Sequence, residues 1–222
     1  MINVQVVGDA LFAAGHSQGA KSPAVSTSAP TNNESLPSTK VKVSQDSDAT
    51  DVTPLGQEEL LRQAYLVLNS LKDQDYLTFS GYVHPQKGLT LTPYSTVDPQ
   101  KNKTLQSGDI AKAAKNDAMY VWGFHDGSGA PIQLTISDYF ETYVYNADYS
   151  KAPMIGVNTV LSMGNSLENV KVAYPDAQFV EFYFPSLDPK YNGLDWCGLK
   201  LVFEQVLQEY KLIGIIHSEW TI

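Results

Sequence analysis

Arginine is nearly absent from this chain: Arg62 is the only one in 222 residues. Planar, bidentate recognition of phosphate and carboxylate relies on the guanidinium fork, so nucleotide ligands lose their usual anchor. Positive charge as a whole is scarce. Residues 55–222 hold twelve Lys or Arg against nineteen Asp or Glu, which contributes −7 to the chain's net −9. An acidic surface with no basic stripe repels a phosphate backbone and excludes nucleic acid as a partner. Cysteine is as rare. Cys197 stands alone, so no intrachain disulfide forms. Its apolar setting, Trp196-Cys197-Gly198-Leu199, marks a small buried core residue rather than a reactive thiol. A nearly cysteine-free chain suits the cytosol and also suits many exported bacterial proteins.

Aromatics are missing from the first quarter. Twenty-three of the twenty-four lie after Pro54, with Phe12 the exception. Residues 17–54 are rich in Ser, Thr, Asn, Asp, Pro and Lys. Such a composition cannot bury enough apolar surface to offset chain entropy, so residues 1–54 are expected to form a disordered polar leader or spacer. Residues 55–222 form one globular domain, long enough to bury its own core. Within the leader, residues 2–14 are mildly apolar but too few to span a bilayer. Leu11-Phe12-Ala13-Ala14-Gly15 ahead of a polar spacer has the character of the end of an export signal. A displaced start would account for the missing basic region. The domain is therefore expected outside the cytoplasm, secreted or tethered through its N-terminus. The alternative is a cytoplasmic protein with a frayed tail.

Gly15-His16-Ser17-Gln18-Gly19 matches the G-x-S-x-G nucleophile elbow. That elbow needs a strand before it, a helix after it and earlier strands for an oxyanion hole. Fourteen residues upstream and a Ser/Pro-rich stretch downstream supply none of these, so the match is rejected.

The domain reads as α+β. Thr53-Pro54 has the chemistry of an N-cap followed by proline at the first helical position. Leu60, Leu61, Ala64, Leu68 and Leu71 then recur on one helical face, predicting a helix to about Lys72. A second helix is expected near Asp75 to Val83, ended by His84-Pro85. Leu89 to Thr92 reads as a short strand, and Asp98 to Asp117 as polar with a helical patch around Ile110 to Ala114. Met119 to Phe124 and Ile132 to Ile136 read as strands joined by Asp126-Gly127-Ser128-Gly129. Thr135 caps a helix carrying Tyr139, Phe140, Tyr143 and Val144. An irregular region with Pro153, Gly156 and Gly164 follows. Phe179–Phe184, Leu199–Leu207 and Tyr210–Thr221 are three strands, the last two a hairpin. Helices first and a long antiparallel sheet last imply N-terminal helices packed on one face of a curved, mostly antiparallel sheet.

That element order resembles the nuclear transport factor 2-like fold, a helix-lined cone closed by a bent sheet. A second resemblance lies in phrases: Tyr82-Val83-His84-Pro85 with Lys87-Gly88, Thr92-Pro93-Tyr94, Trp122-Gly123 with Asp126-Gly127-Ser128-Gly129, Gly164-Asn165-Ser166-Leu167, and Gly214-Ile215-Ile216-His217 with Trp220-Thr221-Ile222. Together they look like a family of uncharacterised bacterial proteins, mostly exported or lipid-anchored behind a polar spacer. The resemblance implies an extracytoplasmic place and no particular activity. This chain departs from the family in having no lipid-attachment cysteine near Ala14.

No motif in the domain dictates a reaction, and none implies a cofactor. His217 and Glu219 lie two apart on the last strand and so share a face, with Ile213, Ile215 and Thr221. A histidine beside a carboxylate can be a tuned general base, worth ~10²–10⁴-fold in rate when well placed. The plainer reading is a polar pair fixing the sheet. Three histidines (His84, His125, His217) plus Glu219 lack any metal-ligand spacing, so no metal site is expected. His84 suits a helix C-terminus and His125 an exposed turn. Asp188, Asn192 and Asp195 around Gly193 read as a turn rather than a calcium loop. Tyr94, Trp122, Tyr139 and Tyr143, with neighbours such as Tyr120, are candidates to line an apolar ligand pocket, or form a tyrosine-rich core. The expected function is non-catalytic binding of a small ligand or partner protein at a concave sheet face. The alternative is a small-molecule enzyme of isomerase, dehydratase or hydrolase type with His217 and Glu219 in a pocket.

Overall fold

The computed structural model describes residues 5–8 and 55–221. The rejected serine elbow, Thr53-Pro54 and the rest of the leader apart from residues 5–8 lie outside these residues. In chain order the elements are β1 (Gln5–Gly8), α1 (Gln57–Lys72), α2 (Tyr76–Ser80), β2 (Leu89–Thr92), β3 (Lys103–Leu105), α3 (Ser107–Ile110), β4 (Tyr120–Phe124), β5 (Pro131–Leu134), α4 (Ile136–Tyr139), β6 (Met154–Val157), α5 (Val170–Ala173), β7 (Gln178–Phe184), β8 (Cys197–Val206) and β9 (Glu209–Glu219). The fold is mixed α+β. Seven strands form one sheet in the order β1-β6-β7-β8-β9-β2-β3, and β4-β5 form a separate hairpin. Pairing is mostly antiparallel; β1 against β6 and β2 against β9 are parallel.

Local chemistry explains several boundaries. α1 opens at Gly56, which offers no side-chain cap. Its opening is held instead by long-range bonds around Leu55, whose amide donates to Gln205 Oε1 at 3.0 Å and whose carbonyl accepts from the Tyr210 hydroxyl at 2.8 Å. Asp75 caps α2 by accepting from the Thr78 amide at 3.0 Å. Thr135 caps α4 by accepting from the Asp138 amide at 3.1 Å, as its sequence context predicts. Leu207 starts the two-residue turn between β8 and β9 with φ of 55°.

One expectation about the sheet fails. Cys197 to Phe203 are all buried, so β8 is covered on both faces. Helices on a single face would leave alternate residues wet. On one face Leu60, Ala64 and Leu68 of α1 pack with Val180, Phe182, Leu199 and Leu201. On the other, Val170 of α5 and neighbouring loop residues pack with Phe179, Val202 and Ile216. Three strands had no counterpart in the sequence reading. β1 falls in the segment read as export-like, β3 in the polar stretch, and β6 in the irregular region.

A bulge also changes a face assignment. Val202 pairs with Gly214 and Phe203 with Leu212, leaving Ile213 as an extra residue on β9. Ile213 consequently packs with Val202 and Ile216, on the face opposite Ile215 and His217. Strict alternation had placed Ile213 beside His217; the inserted residue reverses its side.

Candidate functional site

The hairpin and the segment after it build an aromatic column against the end of β9. Thr135 directs the chain into α4, which passes into a π-type turn over Phe140–Val144. Tyr139 and Tyr143 thereby lie one above the other. Trp122 of β4 is anchored by its indole N–H, which donates to the Leu134 carbonyl at 3.0 Å. Its ring stacks on Tyr139 with centroids 4.0 Å apart, and Tyr139 stacks on Tyr143 at 5.2 Å. Tyr143 then meets His217 edge-on at 5.7 Å. His217 Nε2 lies 3.3 Å from Glu219 Oε2. Tyr94 stands close enough to Tyr143 to influence its hydroxyl, and the Tyr94 hydroxyl accepts from the Asp126 amide at 3.3 Å. All six residues singled out from the sequence thus belong to one contiguous cluster.

Burial governs the chemistry of that cluster. Desolvation, then the nearby Tyr94 and Glu219, pushes the Tyr143 hydroxyl up to about 12. Tyr139 is driven in the same direction, again chiefly by burial. His217 is only 1% exposed, and neither ring nitrogen meets hydrogen-bond geometry with a protein partner. A general base needs a path to its substrate. The concavity beside the column does not provide one: its lining includes Tyr94 and Trp122 but neither His217 nor Glu219.

That concavity is an open groove of about 320 Å³. Pro93, Tyr94, Trp122 and Phe124 form its apolar wall; Thr96, Asn102 and Ser166 stand among its polar groups. Phe124 is 63% exposed, whereas Trp122 contributes only an edge. Gly123 permits the wall to close up, since a Cβ there would come within 3.1 Å of Pro93 Cγ. Phe124 and Ser166 are functional candidates that sequence reasoning missed. Phe124 was legible only as a strand residue, and Ser166 arrives on a loop from elsewhere in the chain.

The other candidates fall apart spatially or chemically. His84 does not end a helix as expected. It follows α2 and is 5% exposed, with Nδ1 accepting from the amides of Gln86 at 3.1 Å and Lys87 at 3.0 Å. It organises a turn. His125 is exposed at the hairpin tip. Asp195 accepts from the Ser186 hydroxyl at 2.9 Å and the Leu187 amide at 3.1 Å, so that loop is held by its own hydrogen bonds. Among the described residues no group of three His, Cys, Asp or Glu side chains is placed to hold a metal ion. Cys197 is buried, and desolvation raises its thiol to about 11, which suits a core residue.

The opposite sheet face holds a charged cluster that the sequence reading did not find. Lys200 of β8 sits directly across from Glu181 of β7, both at 0% exposure. Lys200 Nζ lies 3.2 Å from Glu181 Oε1 and 2.7 Å from Glu168 Oε2. It also donates to the Ser162 hydroxyl at 3.0 Å and the Ser218 hydroxyl at 3.2 Å. Glu181 accepts from the Leu161 amide at 2.7 Å and the Ser162 amide at 3.0 Å. These bonds fasten the loop carrying Ser162 and Glu168, and with it the Ser166 edge of the groove. The available signal was one charge inside each of two apolar runs, Val180-Glu181-Phe182 and Leu199-Lys200-Leu201.

No protein-family model matches the chain, and no curated protein matches its sequence.

Two outcomes follow from this geometry. Lys200→Met leaves Glu181 and Glu168 without their cation and is expected to cost about 3–5 kcal/mol in urea denaturation. Lys200→Met combined with Glu181→Gln is expected to regain part of that loss, because one of the two uncompensated charges is removed. The second outcome concerns alkali. The Tyr143 hydroxyl has an ordinary value of 10 and a folded value of about 12, so its contribution to stability is complete below pH 10. Stability is expected to fall as pH rises from 10 to 12, since the unfolded state ionises first. Denaturation midpoints across that window check it, and Tyr143→Phe should flatten the decline.

Proposed function

We propose that this domain binds a small ligand that lays an apolar face on the groove walled by Pro93, Tyr94, Trp122 and Phe124, and that it does so without catalysis. The observation that carries the reading is Phe124, a large apolar side chain 63% exposed on a concave surface. Apolar concavities with a few convergent polar groups are the usual form of small-molecule sites. The stacked Trp122, Tyr139 and Tyr143 behind it are rigid, so little ordering would accompany binding. An apolar side chain of a partner protein would satisfy the same wall. The catalytic alternative draws on the proximity of His217 and Glu219, but the burial of His217 argues against it.

The nuclear transport factor 2-like cone belongs to this proposal as the architecture the domain resembles. Its support is α1 lying against the sheet, with Tyr65 edge-on to Phe182 at 5.5 Å. Side chains fill that sheet face, which favours a ligand at the hairpin groove over one in the hollow of a cone. A place outside the cytoplasm is part of the same proposal. It rests on the polar spacer composition of residues 17–54 and on the family phrases.

Nile red, a neutral apolar dye, tests the groove. The full chain should bind it with a change in dye fluorescence, and Phe124→Ser should weaken binding by about ten-fold or more, the worth of burying one phenyl ring. Binding indifferent to Phe124→Ser would move the site elsewhere and sink the reading. Fractionation of a bacterium expressing the protein tests its place: recovery outside the cytoplasm is expected, and confinement to the cytosol would overturn it.

A further inference from the structure

The groove's lining also bears on what kind of ligand enters. We infer that it takes an uncharged ring carrying hydroxyls at its edge, as a pyranose sugar does, and discriminates against anions; this rests on the ligand-binding reading above.

Phosphate or carboxylate recognition needs a cation free to donate. The chain's single arginine, Arg62, is on α1 and donates to Glu59 at 2.7 Å. Lys101 is the cation of the groove, and its Nζ lies 3.1 Å from Asp98 Oδ2. That carboxylate offsets the lysine charge. The net −9 of the chain adds a repulsive field for any approaching anion.

The remaining polar groups are neutral and sit beside an apolar wall. Thr96 donates its hydroxyl proton to the Leu167 carbonyl at 2.7 Å, which leaves its oxygen as an acceptor. Asn102 uses its carbonyl oxygen to accept from the Asp98 amide, which leaves its NH₂ as a donor. Ser166 offers both roles. One acceptor, one amide donor and one hydroxyl match the alternating needs of ring hydroxyls. Pro93, Tyr94 and Phe124 present C–H and aromatic surface to the ring's apolar face. A volume of about 320 Å³ is at the lower end for small-ligand sites and suits one or two rings. A purely apolar ligand would displace water from the remaining donor and acceptor positions of these three groups without replacing it, a cost that a hydroxylated ring avoids.

The test uses the full chain in three titrations: Nile red, a panel of neutral disaccharides headed by cellobiose and maltose, and galacturonate with inorganic phosphate as anionic comparators. At least one neutral disaccharide is expected to bind and to compete with Nile red, with the anions at least about ten-fold weaker. Phe124→Ser should weaken dye and sugar together. Asn102→Ala should weaken the sugar at least about five-fold more than the dye, because only the sugar needs its amide. Nile red binding with no neutral sugar competing, or anions binding as well as sugars, would overturn the ligand class while leaving the groove as a binding site. If neither dye nor sugar binds, the ligand-binding reading fails and this inference fails with it.

Discussion

Lys200 is fully buried on a strand that pairs on both sides, and it persists there because Glu181 faces it across β7 and Glu168 closes from a loop. Removing an ammonium from water costs several kcal/mol, which only close carboxylates and hydroxyls offset. The pair therefore has to be covered and fully partnered. Glu181 achieves the covering by accepting two loop amides, and the loop it fastens carries Ser166 to the groove. A charge placed in the sheet interior thus decides where a distant surface segment lies.

The other face of the same strands carries no charge and is filled by side chains. Leu199 and Leu201 meet α1, and the aromatic column from Trp122 to His217 closes the end. Aromatic rings stacked at 4.0 and 5.2 Å and closed edge-on by His217 make a stiff support, and Tyr94 beside it holds the hairpin tip by accepting from the Asp126 amide. The groove lies outside this support. Rigidity behind and exposure in front is the arrangement that lets Phe124 contribute to binding, because a preorganised wall loses little entropy when a ligand arrives.

Much of the fold was legible where chemistry is local. Thr135 acted as the expected cap, the Asp126-Gly127-Ser128-Gly129 turn joined β4 to β5, and Leu89–Thr92 formed a strand with the expected bounds. Each depends on residues within a few positions of one another. β3 was hidden because it has three residues, and β6 because Met154-Ile155-Gly156-Val157 does not alternate; both became strands through their partners. The bulge at Ile213 was hidden because a register shift is a property of two strands, and one strand's sequence cannot display it. Four of the six candidate residues stood out by aromatic type alone, and His217 with Glu219 by type and by their spacing of two on one strand. Their meeting followed from β9, β4, α4 and the segment after β2 converging.

The sequence by itself determined the α+β class and the core character of Cys197, and its composition set the expectations of a dense domain from about residue 55 and of a ligand other than phosphate. Those properties depend on composition, local capping and the count of cations, none of which needs a neighbour in space. Tertiary structure alone decided that β8 is covered twice, that Lys200 and Glu181 oppose one another, and that His217 is sealed behind Tyr143 while Phe124 stays exposed. Burial and long-range register are relations between segments far apart in the chain, and each segment read alone is compatible with either outcome.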